Sequence, residues 1–189
     1  MNNILCMHIT NIKKLLMEVK LESHFIPVND KIVKAILSYG DELNYSTPVR
    51  AEHTRWRLHD DDRTFDYFVE KFHGIYPSYK INELWGATYR QGDYAEAHNH
   101  YGFDRAFVWF VDTHSCCNPL IFPNIKEPWL KHEEVIKPRN GMLYVFGGKD
   151  IHYVEPHLCE HPRIVVSGNC RKNLSRDINT EVITNDPWH

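Results

Sequence analysis

Between Leu84 and Asn169 the sequence breaks into eight short extended runs, most of them separated by turn-forming residues. The runs are Leu84 to Arg90, Tyr94 to His100, Ala106 to Asp112, Leu120 to Phe122, Glu133 to Lys137, Met142 to Phe146, His152 to Glu155 and Arg163 to Asn169. Gln91-Gly92-Asp93, Asn118-Pro119, Pro138 to Gly141 and Gly147-Gly148-Lys149-Asp150 supply the breaks, because Gly, Asn, Asp and Pro adopt or enforce turn conformations. Strands this short at this spacing point to a sandwich or barrel of the jelly-roll kind. Trp85, Trp109 and Phe110 are expected to fill its core.

Upstream the apolar period changes to that of helices. Ile32, Val33, Ile36 and Leu37 form one stripe between capping Asn29 and Asp30 and a terminating Gly40. Phe65, Phe68, Val69 and Phe72 form another behind Asp60 to Asp62, a run suited to a helix N-terminus, with Gly74 and Pro77 beyond. Packing on a core accounts for both stripes. The acidic run lacks the alternating oxygen ligands of a calcium loop. With 189 residues, one domain is the expectation. Residues 1–80 form a helical support segment, 81–171 the β core and 172–189 a tail.

A net charge of -3 and the lack of a Lys/Arg cluster argue against a duplex nucleic acid partner. No run of eighteen apolar residues exists to span a bilayer, and the first twenty residues make no convincing signal peptide. Five cysteines without a C-x-x-C pair suggest neither a disulfide framework nor a Cys-rich zinc site, which fits a reducing, cytoplasmic setting. Adjacent Cys116 and Cys117 are expected to be inert.

Thirteen histidines are unusual in a chain of this size. Scattered at random they would give roughly one H-x-H, so His98-Asn99-His100 is weak by itself. On a strand, however, both rings face the same way, since side chains alternate with period two. His152 arrives from a different strand, as a facial metal site requires. Arg163 opens the last apolar strand, where a buried guanidinium calls for an anion and its planar fork suits a carboxylate; pairing with Glu155 is the alternative. A hairpin after His152 would return it beside the same cavity. The other histidines (8, 24, 53, 59, 73, 114, 132, 157, 161 and 189) have no converging spacing, are expected at the surface, and make no second metal site.

The stretch GDYAEAHNHYGFDRAFVWFV, with PLIFP, PRNGMLYVFGGKDIHYVEP and RIVVSGN, resembles the Fe(II)- and 2-oxoglutarate-dependent oxygenases, in particular their small phage and bacterial prolyl-hydroxylase-like branch. The resemblance covers roughly residues 84 to 171. It implies a mainly β fold with flanking helices, a cupin-like double-stranded β-helix, and oxidative decarboxylation of 2-oxoglutarate coupled to oxidation of a small-molecule or peptidyl substrate by O2. It implies His98 and His152 as iron ligands and Arg163 as partner of the distal carboxylate of 2-oxoglutarate, with Tyr89 and Ser167 as further cosubstrate contacts. Two positions depart from the pattern. The superfamily places Asp or Glu where this chain has His100, so the triad is either three histidines or includes Asp104; three histidines are preferred, because Asp104 must reach past a bend at Gly102. Val165 stands where the family often has Ser.

Cupins are a second resemblance: Gly92, His98, His100 and Asp104 match their G-x5-H-x-H-x3-E motif with Asp for Glu. That reading implies a three-histidine metal dioxygenase without cosubstrate, and Arg163 favours the first. A non-catalytic jelly roll that binds a ligand or serves as a structural domain is the third reading.

Overall fold

In the computed structural model, residues 19–44, 46–127, 129 and 134–173 are described. Three helical pieces occupy the N-terminal half: α1 (Asp30–Tyr39), α2 (Leu58–Asp61) and, after a 3-10 turn at Arg63–Phe65, α3 (Asp66–Ile75). The Asn29 side chain accepts a hydrogen bond from Lys31 N at the start of α1. Gly40, at φ 61°, ends it in a conformation that disfavours a side chain. The apolar stripes predicted for α1 and α3 bury Ile32, Ile36, Phe65, Phe68 and Phe72. The acidic run has structural work: Asp62 accepts from Thr64 N, while Asp60 and Asp61 pair with Arg57 and Arg55.

Eleven strands lie among the described residues. Three come from the segment expected to be purely helical: β1 (Glu22–Phe25), β2 (Val49–Arg50) and β3 (Glu52–His53). The rest are β4 (Tyr79–Tyr89), β5 (Tyr94–His98), β6 (Arg105–Asp112), β7 (Leu120–Phe122), β8 (Glu134–Ile136), β9 (Met142–Gly147), β10 (His152–Val154) and β11 (Arg163–Lys172). They form two antiparallel sheets, a larger one in the order β1-β9-β6-β11-β4-β3 and a smaller one in the order β2-β5-β10-β7-β8.

The larger sheet is buried on both faces, which explains why β6 reads as an unbroken apolar run. Phe107, Trp109 and Val111 point to the helices and join Phe68, Phe72, Ile32 and Ile36 in one core. Ala106, Val108 and Phe110 point the other way and meet Phe122, Phe146 and Val154 between the sheets. Trp109 also reaches back to donate from Nε1 to the Ile26 carbonyl, 3.1 Å away, tying the N-terminal segment to the sheet centre.

Two connections differ from the sequence reading. The strand carrying the histidine pair stops at His98, so His100 lies just beyond it in an irregular segment. β10 and β11 do not form a hairpin: β10 belongs to the smaller sheet and β11 to the larger, and the intervening chain crosses between them.

Candidate metal centre and anion pocket

His152 opens β10 directly opposite His98 on β5, so the smaller sheet's hydrogen-bond register brings the two imidazoles together. His100 is delivered by its backbone: its N–H donates to the Gly148 carbonyl at 2.8 Å, and Gly148 N–H donates in turn to the Asp104 carbonyl. A Cβ at Gly148 would collide with the Phe103 carbonyl oxygen and crowd that of His100. Glycine there lets the turn after β9 lie against the segment that holds His100. Ring centroids are 4.5 Å apart for His98 and His152, 5.1 Å for His100 and His152 and 5.3 Å for His98 and His100. One ligating nitrogen from each lies within 4.8 Å of the other two.

The hydrogen bonds fix which nitrogens those are. A carbonyl only accepts, so the contacts of His98 Nδ1 with Glu96 O (2.6 Å) and of His152 Nδ1 with Asp150 O (2.9 Å) place the protons on Nδ1. Both Nε2 lone pairs are left facing inward, the arrangement in which metal-ligating histidines are held. His100 Nε2 is 3.3 Å from His152 Nε2, close to the roughly 3 Å spacing of neighbouring ligands on bonds of about 2.1 Å. Burial keeps the three rings neutral: desolvation lowers the pKa of His98, that of His100 to about 3, and that of His152 well below its usual value. Neutral imidazoles with converging lone pairs suit a borderline divalent metal such as Fe(II).

Asp104, the carboxylate alternative, points elsewhere: its Oδ2 accepts from Lys172 N at 2.7 Å. Residue i+6 follows the bend at Gly102, with φ 101°, and joins the C-terminal end of β11 instead of the histidines.

Arg163, Tyr89 and Ser167 line the same narrow cavity as the three histidines, together with Trp85, Val154 and Val165. Arg163 is among the largest fully buried side chains. Its guanidinium lies over the Tyr89 ring at 4.7 Å and the Phe110 ring at 5.3 Å, and it hydrogen-bonds with Tyr89. Its Nε and Nη1 have no partner, and no carboxylate among the described residues forms an ion pair with it; Glu155 is exposed. A buried cation without a counter-ion costs several kcal/mol, at least ~3, so an anion brought beside Arg163 would be stabilised. Strand alternation puts Val165 and Ser167 beyond Arg163 on the same face, and Ser167 is the hydroxyl that this face offers.

A second pocket of about 300 Å³ adjoins that cavity and shares His98, His100 and Trp85 with it. Trp56, Trp85, Tyr101 and Phe103 wall it, with Glu83 and Asn169 at its base, where Asn169 Nδ2 donates to Glu83 Oε2 at 2.6 Å. The sequence gives no notice of this pocket, because its walls come from five separate segments.

Three of the expectations about the remaining side chains are corrected. His53 and His157 are fully buried, not at the surface. His53 stacks on Trp85 with planes 15° apart and donates from Nδ1 to the Thr54 carbonyl. Cys116 and Cys159 form a disulfide where none was expected, because β7 and β10 run antiparallel and bring the chain before one beside the chain after the other. The histidines near it cluster, as described below. His8, His132, His189 and Cys6 lie outside the described residues.

No protein-family model and no curated protein sequence matches the chain. Solved structures do. A viral collagen prolyl hydroxylase from Paramecium bursaria Chlorella virus-1, in complex with 2-oxoglutarate, aligns with a TM-score of 0.60 at 15% identity over 80% of this chain and 96% of that one. HygX from Streptomyces hygroscopicus, with nickel and 2-oxoglutarate bound, gives 0.59 at 9% identity over 82% and 84%. A prolyl hydroxylase from Trichoplax adhaerens, in complex with a hypoxia-inducible-factor peptide fragment, gives 0.56 at 14% identity over 85% and 87%. At such identities the likeness is one of architecture: the chain has the double-stranded β-helix fold of these oxygenases.

Proposed function

We propose that the chain is an Fe(II)- and 2-oxoglutarate-dependent oxygenase whose metal is held by His98, His100 and His152. The observation that carries this reading is Arg163, a buried guanidinium with two unpaired nitrogens in the cavity that the three Nε2 atoms share. A three-histidine dioxygenase without cosubstrate needs such a group only where its own substrate carries an anion. That the fold also houses 2-oxoglutarate in structures as distant as the viral hydroxylase and HygX supports the same choice.

Iron, when bound, supplies the O2 chemistry that couples decarboxylation of 2-oxoglutarate to oxidation of the substrate. The chain's own residues do the rest. His98 and His152 present lone pairs fixed by their Nδ1–H bonds to backbone carbonyls, so ligation needs no tautomer change. Arg163 takes the far carboxylate of the cosubstrate in a bidentate pair, with the Tyr89 and Ser167 hydroxyls beside it. The apolar lining from Ala87, Val154 and Val165 keeps water from the pair. The substrate, a small molecule or a peptidyl side chain, lies in the aromatic pocket that borders His98 and His100. Aromatic faces there pack an apolar body, and Glu83 accepts a hydrogen bond from it.

The test is anaerobic. Addition of Fe(II) and 2-oxoglutarate gives the weak visible absorption of the metal chelate, and Arg163→Ala weakens cosubstrate binding by about 10²-fold or more while iron stays bound. No absorption from folded, iron-loaded protein, or an unchanged cosubstrate affinity in Arg163→Ala, overturns the proposal.

A further inference from the structure

A second convergence of metal-binding side chains lies away from the histidine triad, at the junction of the β6–β7 and β10–β11 connections. His114, Cys116 and Cys117 precede β7, and His157, Cys159 and His161 follow β10. Antiparallel pairing of these strands, with Tyr153 opposite Ile121, sets the two segments side by side. Other contacts hold them there. Asn118 Nδ2 donates to the carbonyls of Glu155 and Pro156, and His157 is pinned from below by two 2.7 Å hydrogen bonds with Gly92 and Asp93.

The ligating atoms of Cys117, His157 and Cys159 lie within 4.8 Å of one another, and all three residues are buried. Those of His114, Cys116 and Cys159 lie equally close on the outer side. His157 is the telling residue. It is fully buried, and its Nε2 donates to the His161 carbonyl at 2.8 Å, which leaves Nδ1 with the lone pair. That Nδ1 has no partner. An unpartnered acceptor in the interior, beside two sulfurs and oriented by a carbonyl on its other nitrogen, has the form of a metal ligand awaiting its ion.

We propose that these two segments form a second metal site, a tetrahedral thiolate-rich site for zinc, with Cys117, Cys159 and His157 Nδ1 as buried ligands and Cys116 as the fourth. Three sulfurs and one imidazole are a structural zinc set, and donors on bonds of about 2.0–2.3 Å stand roughly 3.3–3.8 Å apart, a modest contraction from the present spacing of the three buried donors, while Cys116 swings in once its bond to Cys159 opens. His114 Nδ1, 3.0 Å from Cys116 Sγ, is placed to hydrogen-bond that sulfur as a thiolate. The disulfide and the metal are alternatives, since Cys116 and Cys159 serve both. Conversion requires a two-electron reductant such as a phosphine: with water it becomes the phosphine oxide, the Cys116–Cys159 bond takes up two electrons and two protons, and zinc then displaces the thiol protons to solvent. Bound zinc clamps the loop that leads into β11, through Cys159 four residues before Arg163, to the loop that leads into β7.

The site is independent of the function proposed for the triad and is tested without activity. Full-length protein carrying His98→Ala and His152→Ala, which removes the other metal site, is reduced with a phosphine, given zinc and desalted. One equivalent of zinc is retained, and it is lost on adding Cys117→Ser or Cys159→Ser to a chain whose circular dichroism is unchanged. Because a cysteine variant can misfold, wild-type protein provides a second measurement. Cobalt(II) added after reduction produces thiolate-to-cobalt charge transfer in the near ultraviolet, which three imidazoles cannot give, and zinc protects Cys116, Cys117 and Cys159 from alkylation. Without reduction neither signal appears. Reduced protein that holds no zinc beyond the triad, or cobalt spectra free of sulfur character, overturns the proposal.

Discussion

Each of the three clustered histidines makes sense only through what its other nitrogen does. His98 and His152 spend Nδ1–H on carbonyls two residues upstream, Glu96 in the same strand and Asp150 in the turn before β10, so a local backbone feature decides the direction of the lone pair. His100 has no such bond and relies on the Gly148 carbonyl to place its backbone. The expected consequence is a graded response. His152→Ala weakens Fe(II) binding by more than about tenfold, the scale seen even for partners one shell out from a metal. His100→Asp, which restores the carboxylate common in such triads, retains one equivalent. Anaerobic titration with Fe(II) and a competing chelator reads both, and a His152→Ala chain that keeps stoichiometric iron refutes its role as ligand.

The turn after β9 is where element geometry reaches the site. Its glycine lies against the Phe103 and His100 carbonyls, so Gly148→Ala pushes apart two segments that must touch. The expected result is a fold destabilised by about 1–3 kcal/mol in urea denaturation, with weaker metal binding, whereas Gly92→Ala, which has open space around it, suffers only its positive-φ strain of about 1 kcal/mol. Equal losses for the two variants would show that the turn is not what positions His100. The elements themselves were largely legible. All eight strands after residue 78 were readable from alternation and turn residues, and both long helices from their stripes, though only α1 has the caps read for it: α3 begins at Asp66, beyond the acidic run, and includes Gly74. The N-terminal strands were not: β2 and β3 have two residues each, too few to carry a period, and β1 is known only by its pairing with β9. The triad and Arg163 were visible because strand order put them in recognisable sequence positions. The cysteine–histidine cluster and the aromatic pocket were not, because sheet pairing, and not spacing along the chain, assembles them.

For the molecule as a whole, buried neutral histidines make stability depend on pH. Desolvation lowers His53 to about 4 and His100 to about 3, and lowers His98 and His152 as well. The unfolded chain protonates these rings near pH 6.5 while the folded chain does not, so below that pH the unfolded state gains protons and stability falls. Stability is therefore full above about pH 6.5 and declines as pH drops towards 4. His53 alone accounts for about 2 kcal/mol between pH 7 and pH 5. Urea midpoints of the metal-free protein at the two values measure this, and His53→Phe flattens the decline by its share; a midpoint unchanged between pH 7 and pH 5 contradicts the burial.

The order of the larger sheet has a further bearing on how the protein is made. Its central strand, β11, is the last of the described strands to leave the ribosome, and it joins β6 on one flank to β4 on the other. Until it emerges, the growing chain holds two half-sheets with no seam between them, and the smaller sheet has no complete partner to rest on. The guanidinium enters with that same strand. Closure of the sandwich and arrival of the buried Arg163 charge are thus a single event, and a polypeptide ending short of residue 163 lacks both.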